Sequence, residues 1–104
     1  MNVADIRHRL REGHFEFSRH ALKRAVERNI SDAEIREAGD ALDIIEDYPE
    51  DKYSPSCLGL GFTRNRRPLH LQVCYSSPVT VKIITLYEPD PAEWIEYRIR
   101  RITT

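Results

Sequence analysis

The chain has 104 residues, 40% hydrophobic and 32% charged, with a net charge of −1. This fits one domain spanning 1–104, which at this size buries about two-thirds of its unfolded surface without help from disulfides or metals. No apolar run approaches the roughly 18–20 residues of a membrane span, and no apolar stretch follows the arginines between Met1 and Arg11 as a secretory signal requires. A cytoplasmic location is therefore expected. Cys57 and Cys74 have neither CxxC spacing nor a neighbouring histidine cluster and are expected to be reduced.

Charge is segregated along the chain. Residues 1–28 carry seven Lys and Arg against four Asp and Glu, residues 29–53 two against nine, and residues 54–75 three against none. The overall balance argues against bulk attraction to nucleic acid, while the segregation leaves room for a local basic surface. The acidic stretch from Asp40 to Asp51 suits a soluble edge or a basic partner.

In chain order, Asn2 is the expected cap of a first helix with Val3, Ile6 and Leu10 on one face, ended by Gly13. Phe15-Glu16-Phe17 reads as extended. Ser18 caps a second helix over roughly 19–29, with Ala21, Leu22, Ala25 and Val26 on its apolar face and His20, Lys23, Arg24 and Glu27 opposite. Ser31 and Glu34 form a capping box for a third helix, preceded by the apolar Ile30. Its expected buried stripe is Ala33, Ile35, Ala38 and Leu42. Asp43 to Tyr48 carries Ile44 and Ile45 into the core, and a polar loop follows over 49–56.

Three strands come next. Leu58, Leu60 and Phe62 alternate with small residues, and the turn Asn65-Arg66-Arg67-Pro68 leads into Leu69, Leu71, Val73 and Tyr75, which alternate with His70, Gln72 and Cys74. The adjacent Ile83 and Ile84 in the stretch from Val79 to Tyr87 suggest either a strand apolar on both faces or a bulge. Asp90 and Pro91 then open an expected short C-terminal helix bearing Trp94, Ile95 and Tyr97. Helices that precede the strands give an α+β domain, with N-terminal helices packed on one face of a small antiparallel meander.

No phosphate-binding glycine loop, dinucleotide fingerprint or GxSxG elbow is present, and the four histidines lack metal-ligand spacing. No cofactor is expected. His20, Arg24 and Arg28 stand on successive helical turns, about 6 Å apart. Fixed positive charge beside a group that titrates near neutrality suits phosphate chemistry, and the same residues also suit the solvated face of an amphipathic helix. His70 lies on the polar side of its strand, as a hydrogen-bonding residue or a general acid or base. Tyr75 and Tyr87 end two strands, where a phenol packs or stacks on a base. Arg64, Arg66 and Arg67 cluster at one hairpin, as turn charge or as phosphate contacts.

Ser18-Arg19-His20-Ala21, Arg24, Glu27-Arg28, Ile30, Ile45-Glu46-Asp47-Tyr48, Arg67-Pro68-Leu69-His70 and Thr85-Leu86-Tyr87-Glu88-Pro89 together resemble a bacterial family of uncharacterised small domains. That family resembles the BrnT toxins and, through them, the RelE-like ribonuclease toxins. The resemblance implies a sheet with helices on one face and an RNA site on the other, with His20, Arg24, Arg28, His70 and Tyr87 as its catalytic residues. It also implies the toxin half of a toxin–antitoxin pair, beside a zinc-finger antitoxin of the MqsA or YgiT type.

The expected function is thus a metal-independent endoribonuclease acting on messenger RNA. His20 or His70 takes the 2′-hydroxyl proton, Arg24 and Arg28 stabilise the transition state, and Arg64, Arg66, Arg67 and Tyr75 hold RNA. The near-neutral charge suits a second reading, a non-catalytic protein-binding module on the same fold. The apolar strand and the tyrosines suggest a homodimer.

Overall fold

A computed structural model describes residues 2–52 and 54–102; Tyr53, within the loop expected at 49–56, lies outside them. Among these residues the chain forms helix α1 (Val3–Arg11), strand β1 (Phe15–Phe17), helices α2 (Arg19–Glu27) and α3 (Asp32–Asp40), then strands β2 (Asp43–Tyr48), β3 (Ser56–Phe62), β4 (Pro68–Cys74) and β5 (Val81–Tyr87). Two short strands, β6 (Trp94–Ile95) and β7 (Ile99–Arg100), close it. No helix among the described residues is long and apolar enough to cross a membrane.

The helix starts follow the local sequence. Asn2 accepts from the Ala4 amide and Ser18 from the Ala21 amide. Ser31 and Glu34 exchange both bonds of a capping box. Gly13 takes φ +79°, which ends α1 and turns the chain into β1.

The domain is α+β, but its sheet has five strands in the order β1-β5-β4-β3-β2, with β1 parallel to β5 and the other pairs antiparallel. The expected three-stranded meander is thus its centre, extended by one strand at each edge. Phe15–Phe17 is short, yet it runs beside β5 in register from Phe15↔Val81 to Phe17↔Ile83. The helices pack on one face over Cys57, Leu69, Leu71, Val73, Val81, Ile83 and Leu86. α3 lies so close to β3 that a Cβ at Gly61 would strike the Ala38 backbone and one at Gly59 the Leu42 side chain.

Two expectations about the helices need correction. α2 buries Ala21 and Ala25 but leaves Leu22 and Val26 exposed, because its contact with β5 is made through the two alanines. Ala33 is also exposed, while Ile35, Ala38 and Leu42 are buried as their spacing requires.

A larger correction concerns the C-terminus. In place of a helix carrying Trp94, Ile95 and Tyr97, the chain makes one turn at Asp90, whose carboxylate accepts from the Ala92 amide, and then the β6–β7 hairpin. Glu96 and Tyr97 take φ of 51° and 63°, and Arg98 donates to the Ile95 carbonyl. Left-handed backbone at non-glycine residues costs on the order of 1 kcal/mol each. Burial of Trp94 and ion pairs from Arg98 to Asp43 and from Arg100 to Glu46 offset that cost.

Candidate functional site

Two β-bulges decide which side chains share the sheet face turned away from the helices. In β5 the register passes from Gln72↔Thr85 to Val73↔Ile83, leaving Ile84 as the extra residue. Val81 and Ile83 point into the helix-covered core, and so does Leu86, which puts Tyr87 on the opposite face. Without the bulge Tyr87 would share the face of Ile83, since a one-residue slip exchanges the two sides of a strand. In β2 the register jumps from Ile44↔Gly59 to Glu46↔Leu58, so Ile45 is extra and Glu46 turns to the same face as Tyr87.

His70 stands between them. It is directly opposite Tyr87 across β4 and β5 and fully buried. Its Nε2 lies 2.6 Å from the Tyr97 carbonyl oxygen, which can only accept, so Nε2 carries the proton. Nδ1 then accepts from the Tyr87 hydroxyl at 3.2 Å. Trp94 meets the imidazole edge-to-face at 4.5 Å between centroids. Burial pushes the His70 pKa down, against the pull of the Tyr97 carbonyl and the Glu46 charge. Burial also raises the Tyr87 phenol above its ordinary value. At neutral pH the pair is therefore a neutral imidazole accepting from a protonated phenol.

Beside this pair lies a second cluster. Arg100 donates to Glu46 Oε2 at 2.9 Å and to Oε1 at 3.2 Å, and its guanidinium stacks 4.6 Å from the Trp94 ring centroid. Tyr48 donates to the same carboxylate. Burial raises the Glu46 pKa, but the bonds from Arg100 and Tyr48 outweigh it and hold the carboxyl below its ordinary value. The Glu46 bond in turn raises the Arg100 pKa.

Tyr87 also opens onto a cleft of about 540 Å³ lined by Arg28, Arg67, Glu88, Asp90 and Glu93. Arg28 reaches this cleft from the end of α2 and is steadied by donating to the Leu86 carbonyl at 2.7 Å. Arg67 is fully engaged: Nε bonds Glu88 at 2.8 Å, Nη1 bonds Glu34 and the Asn29 carbonyl, and Nη2 bonds the Arg28 carbonyl. It fastens the α2–α3 junction to the sheet.

The sequence-derived residues thus divide. Arg28, Arg67 and Tyr87 line the cleft, and the buried His70 lies behind Tyr87. His20 is exposed on the flank of α2, and Arg24 is paired with Glu27 at 2.8 Å. Arg64 lines a separate depression with Arg36 and Glu37. Arg66 lies 5.0 Å over the Phe62 ring. Tyr75 follows the far end of β4 and donates to Asp47 at 3.1 Å, about 16 Å along the strand direction from His70. Glu46, Tyr48, Trp94 and Arg100 join the site through contacts between distant segments. They meet only through β2, its bulge and the hairpin, which no local motif announces.

No three of His, Cys, Asp and Glu among the described residues lie close enough together to share a metal ion. The family model for a domain of unknown function, DUF4258, matches residues 17–88. The chain belongs to the DUF4258 family. The DUF4258 match begins at the last residue of β1 and ends just beyond β5. It therefore includes Arg28, Glu46, His70 and Tyr87, while Trp94 and Arg100 lie beyond it. No curated protein and no solved structure matches the chain.

Proposed function

We propose that this DUF4258 domain is a metal-independent endoribonuclease acting on messenger RNA, related to the BrnT and RelE-like toxins and working as the toxin half of a toxin–antitoxin pair. The observation that carries the reading is the contact of Tyr87 with His70 Nδ1 at the edge of a cleft that also holds Arg28. RNA cleavage without metal needs a proton acceptor for the 2′-hydroxyl, a donor for the 5′-oxygen and fixed positive charge for the phosphorane.

Tyr87 Oη takes the 2′-hydroxyl proton as its own proton passes to His70 Nδ1. The 2′-oxygen attacks phosphorus, the P–O5′ bond breaks, and the proton returns through Tyr87 to the departing 5′-oxygen. The products are a 2′,3′-cyclic phosphate and a 5′-hydroxyl. Arg28 holds the non-bridging oxygens, and the Tyr97 carbonyl together with Glu46 stabilises the transient imidazolium.

RNA incubated in EDTA with wild type, Tyr87→Phe and Arg28→Ala tests this. Tyr87→Phe should lose about 10²–10⁴-fold in rate and Arg28→Ala about 10²–10³-fold. A folded wild type that leaves varied RNAs intact, or a Tyr87→Phe protein that cleaves equally well, refutes the reading. Asp90 and Glu93 on the cleft rim repel phosphate, and they favour the second reading, a non-catalytic protein-binding module.

A further inference from the structure

α2 carries more apolar surface than its packing uses. Arg19, Leu22, Lys23 and Val26 follow i, i+3, i+4, i+7 spacing and form one stripe. Leu22 is 53% and Val26 74% exposed. Arg19 and Lys23 make no hydrogen bond or ion pair among the described residues. Glu27, the one acid in the helix, is already bonded to Arg24.

The helix start adds a second observation. No acid stands in the first turn of α2, where Arg19 places positive charge against the positive end of the helix dipole. α3 does the reverse, with Asp32 and Glu34 in its first turn. A helix shaped only for its own stability has no use for the α2 arrangement.

Charge complementarity then names the occupant. Of the nine acids in residues 29–53, five are paired from within: Asp32 by Arg36, Glu34 by Arg67, Asp40 by Arg11, Asp43 by Arg7 and Arg98, and Glu46 by Arg100. Outside α2 the exposed large apolar residues among those described, Val79, Ile95, Ile99 and Ile102, lie on no helix, so a second copy offers α2 no acidic amphipathic helix. Leu22 and Val26 give RNA neither an aromatic face nor a hydrogen bond, whereas they suit the apolar side of a helix.

We propose that the exposed stripe of α2, Arg19, Leu22, Lys23 and Val26, is a docking surface for an acidic amphipathic helix of a partner protein. The partner sets an apolar pair over Leu22 and Val26 and carboxylates against Arg19 and Lys23. None of these residues lines the Arg28–Tyr87 cleft, so the surface stands whether or not the domain cleaves RNA.

Phage display of random helix-forming peptides on the immobilised full chain tests it, with affinities of the selected peptides measured by titration calorimetry. The expected consensus brackets an i, i+4 apolar pair with Asp or Glu. Its binding should weaken at least about tenfold with Val26→Lys and with Arg19→Glu/Lys23→Glu, while circular dichroism shows both variants folded. No enrichment, a basic consensus, or binding indifferent to both variants overturns the proposal. So does sedimentation showing a wild-type dimer that Val26→Lys dissociates, which assigns the stripe to a second copy. RNA binding lost in Arg19→Glu/Lys23→Glu, with no acidic peptide selected, assigns the charges to nucleic acid and overturns it as well.

Discussion

His70 couples the stability of the fold to pH. The folded state keeps its imidazole buried and neutral, donating to Tyr97 and accepting from Tyr87, and burial holds its pKa below the ordinary value. The unfolded chain takes up a proton as pH falls through about 6.5, where the folded chain does not. The folded state then binds fewer protons, so the contribution is fully present above about pH 6.5 and declines below it, with a limiting slope of about 1.4 kcal/mol per pH unit. Glu27, Glu34 and Glu46 are all held below the ordinary carboxylate value, so they titrate at lower pH and leave this window clear. The perturbation is His70→Gln, which keeps a donor for the Tyr97 carbonyl but removes the titrating ring. Loss of the contact with Trp94 and of the Tyr87 bond should cost about 2–3 kcal/mol near neutral pH. The assay is urea unfolding followed by the fluorescence of Trp94, the sole tryptophan, at several pH values between about 7.5 and 5.5, with m checked for constancy. Wild type should lose stability across that window more steeply than the variant. Parallel curves would refute the claim that burial holds His70 neutral.

Other expectations concern packing and reactivity. Gly61→Ala should destabilise by about 2–3 kcal/mol, and more than Gly59→Ala, in paired urea melts, because the new methyl meets the Ala38 backbone and not the movable Leu42 side chain. Equal effects would mean that α3 shifts freely over β3. Arg67→Ala should cost about 2 kcal/mol, since it leaves Glu34 and two carbonyls without their donor, whereas the exposed Arg64→Ala should stay within about 0.5 kcal/mol; thermal melts rank the two. Burial pushes the Cys57 thiol up to about 12, so native protein near pH 8 should give alkylation at Cys74 and none at Cys57 by mass spectrometry. Rapid labelling of Cys57 would show that β3 opens readily.

The sequence by itself determined what is local. Asn2, Ser18 and the Ser31–Glu34 box start their helices because a side-chain oxygen within three residues satisfies a free amide. The alternation of Leu69, Leu71 and Val73 with His70 and Gln72 sorts the two faces of β4, because successive side chains in a strand point to opposite sides. The adjacent Ile83 and Ile84 mark an irregularity in β5 that a doubly apolar strand and a bulge explain equally well. The tertiary structure decided what depends on distant partners. The bulges at Ile45 and Ile84 set Glu46 and Tyr87 on the face of His70, and a single residue of register reverses that outcome. Trp94 and Tyr97 enter a hairpin and not a helix because His70, 27 residues from Tyr97, offers a ring N–H to its carbonyl and an edge to the indole. Leu22 and Val26 stay in solvent because α2 is wider in its apolar arc than the strip of β5 beneath it, a mismatch of two surfaces that only their packing reveals.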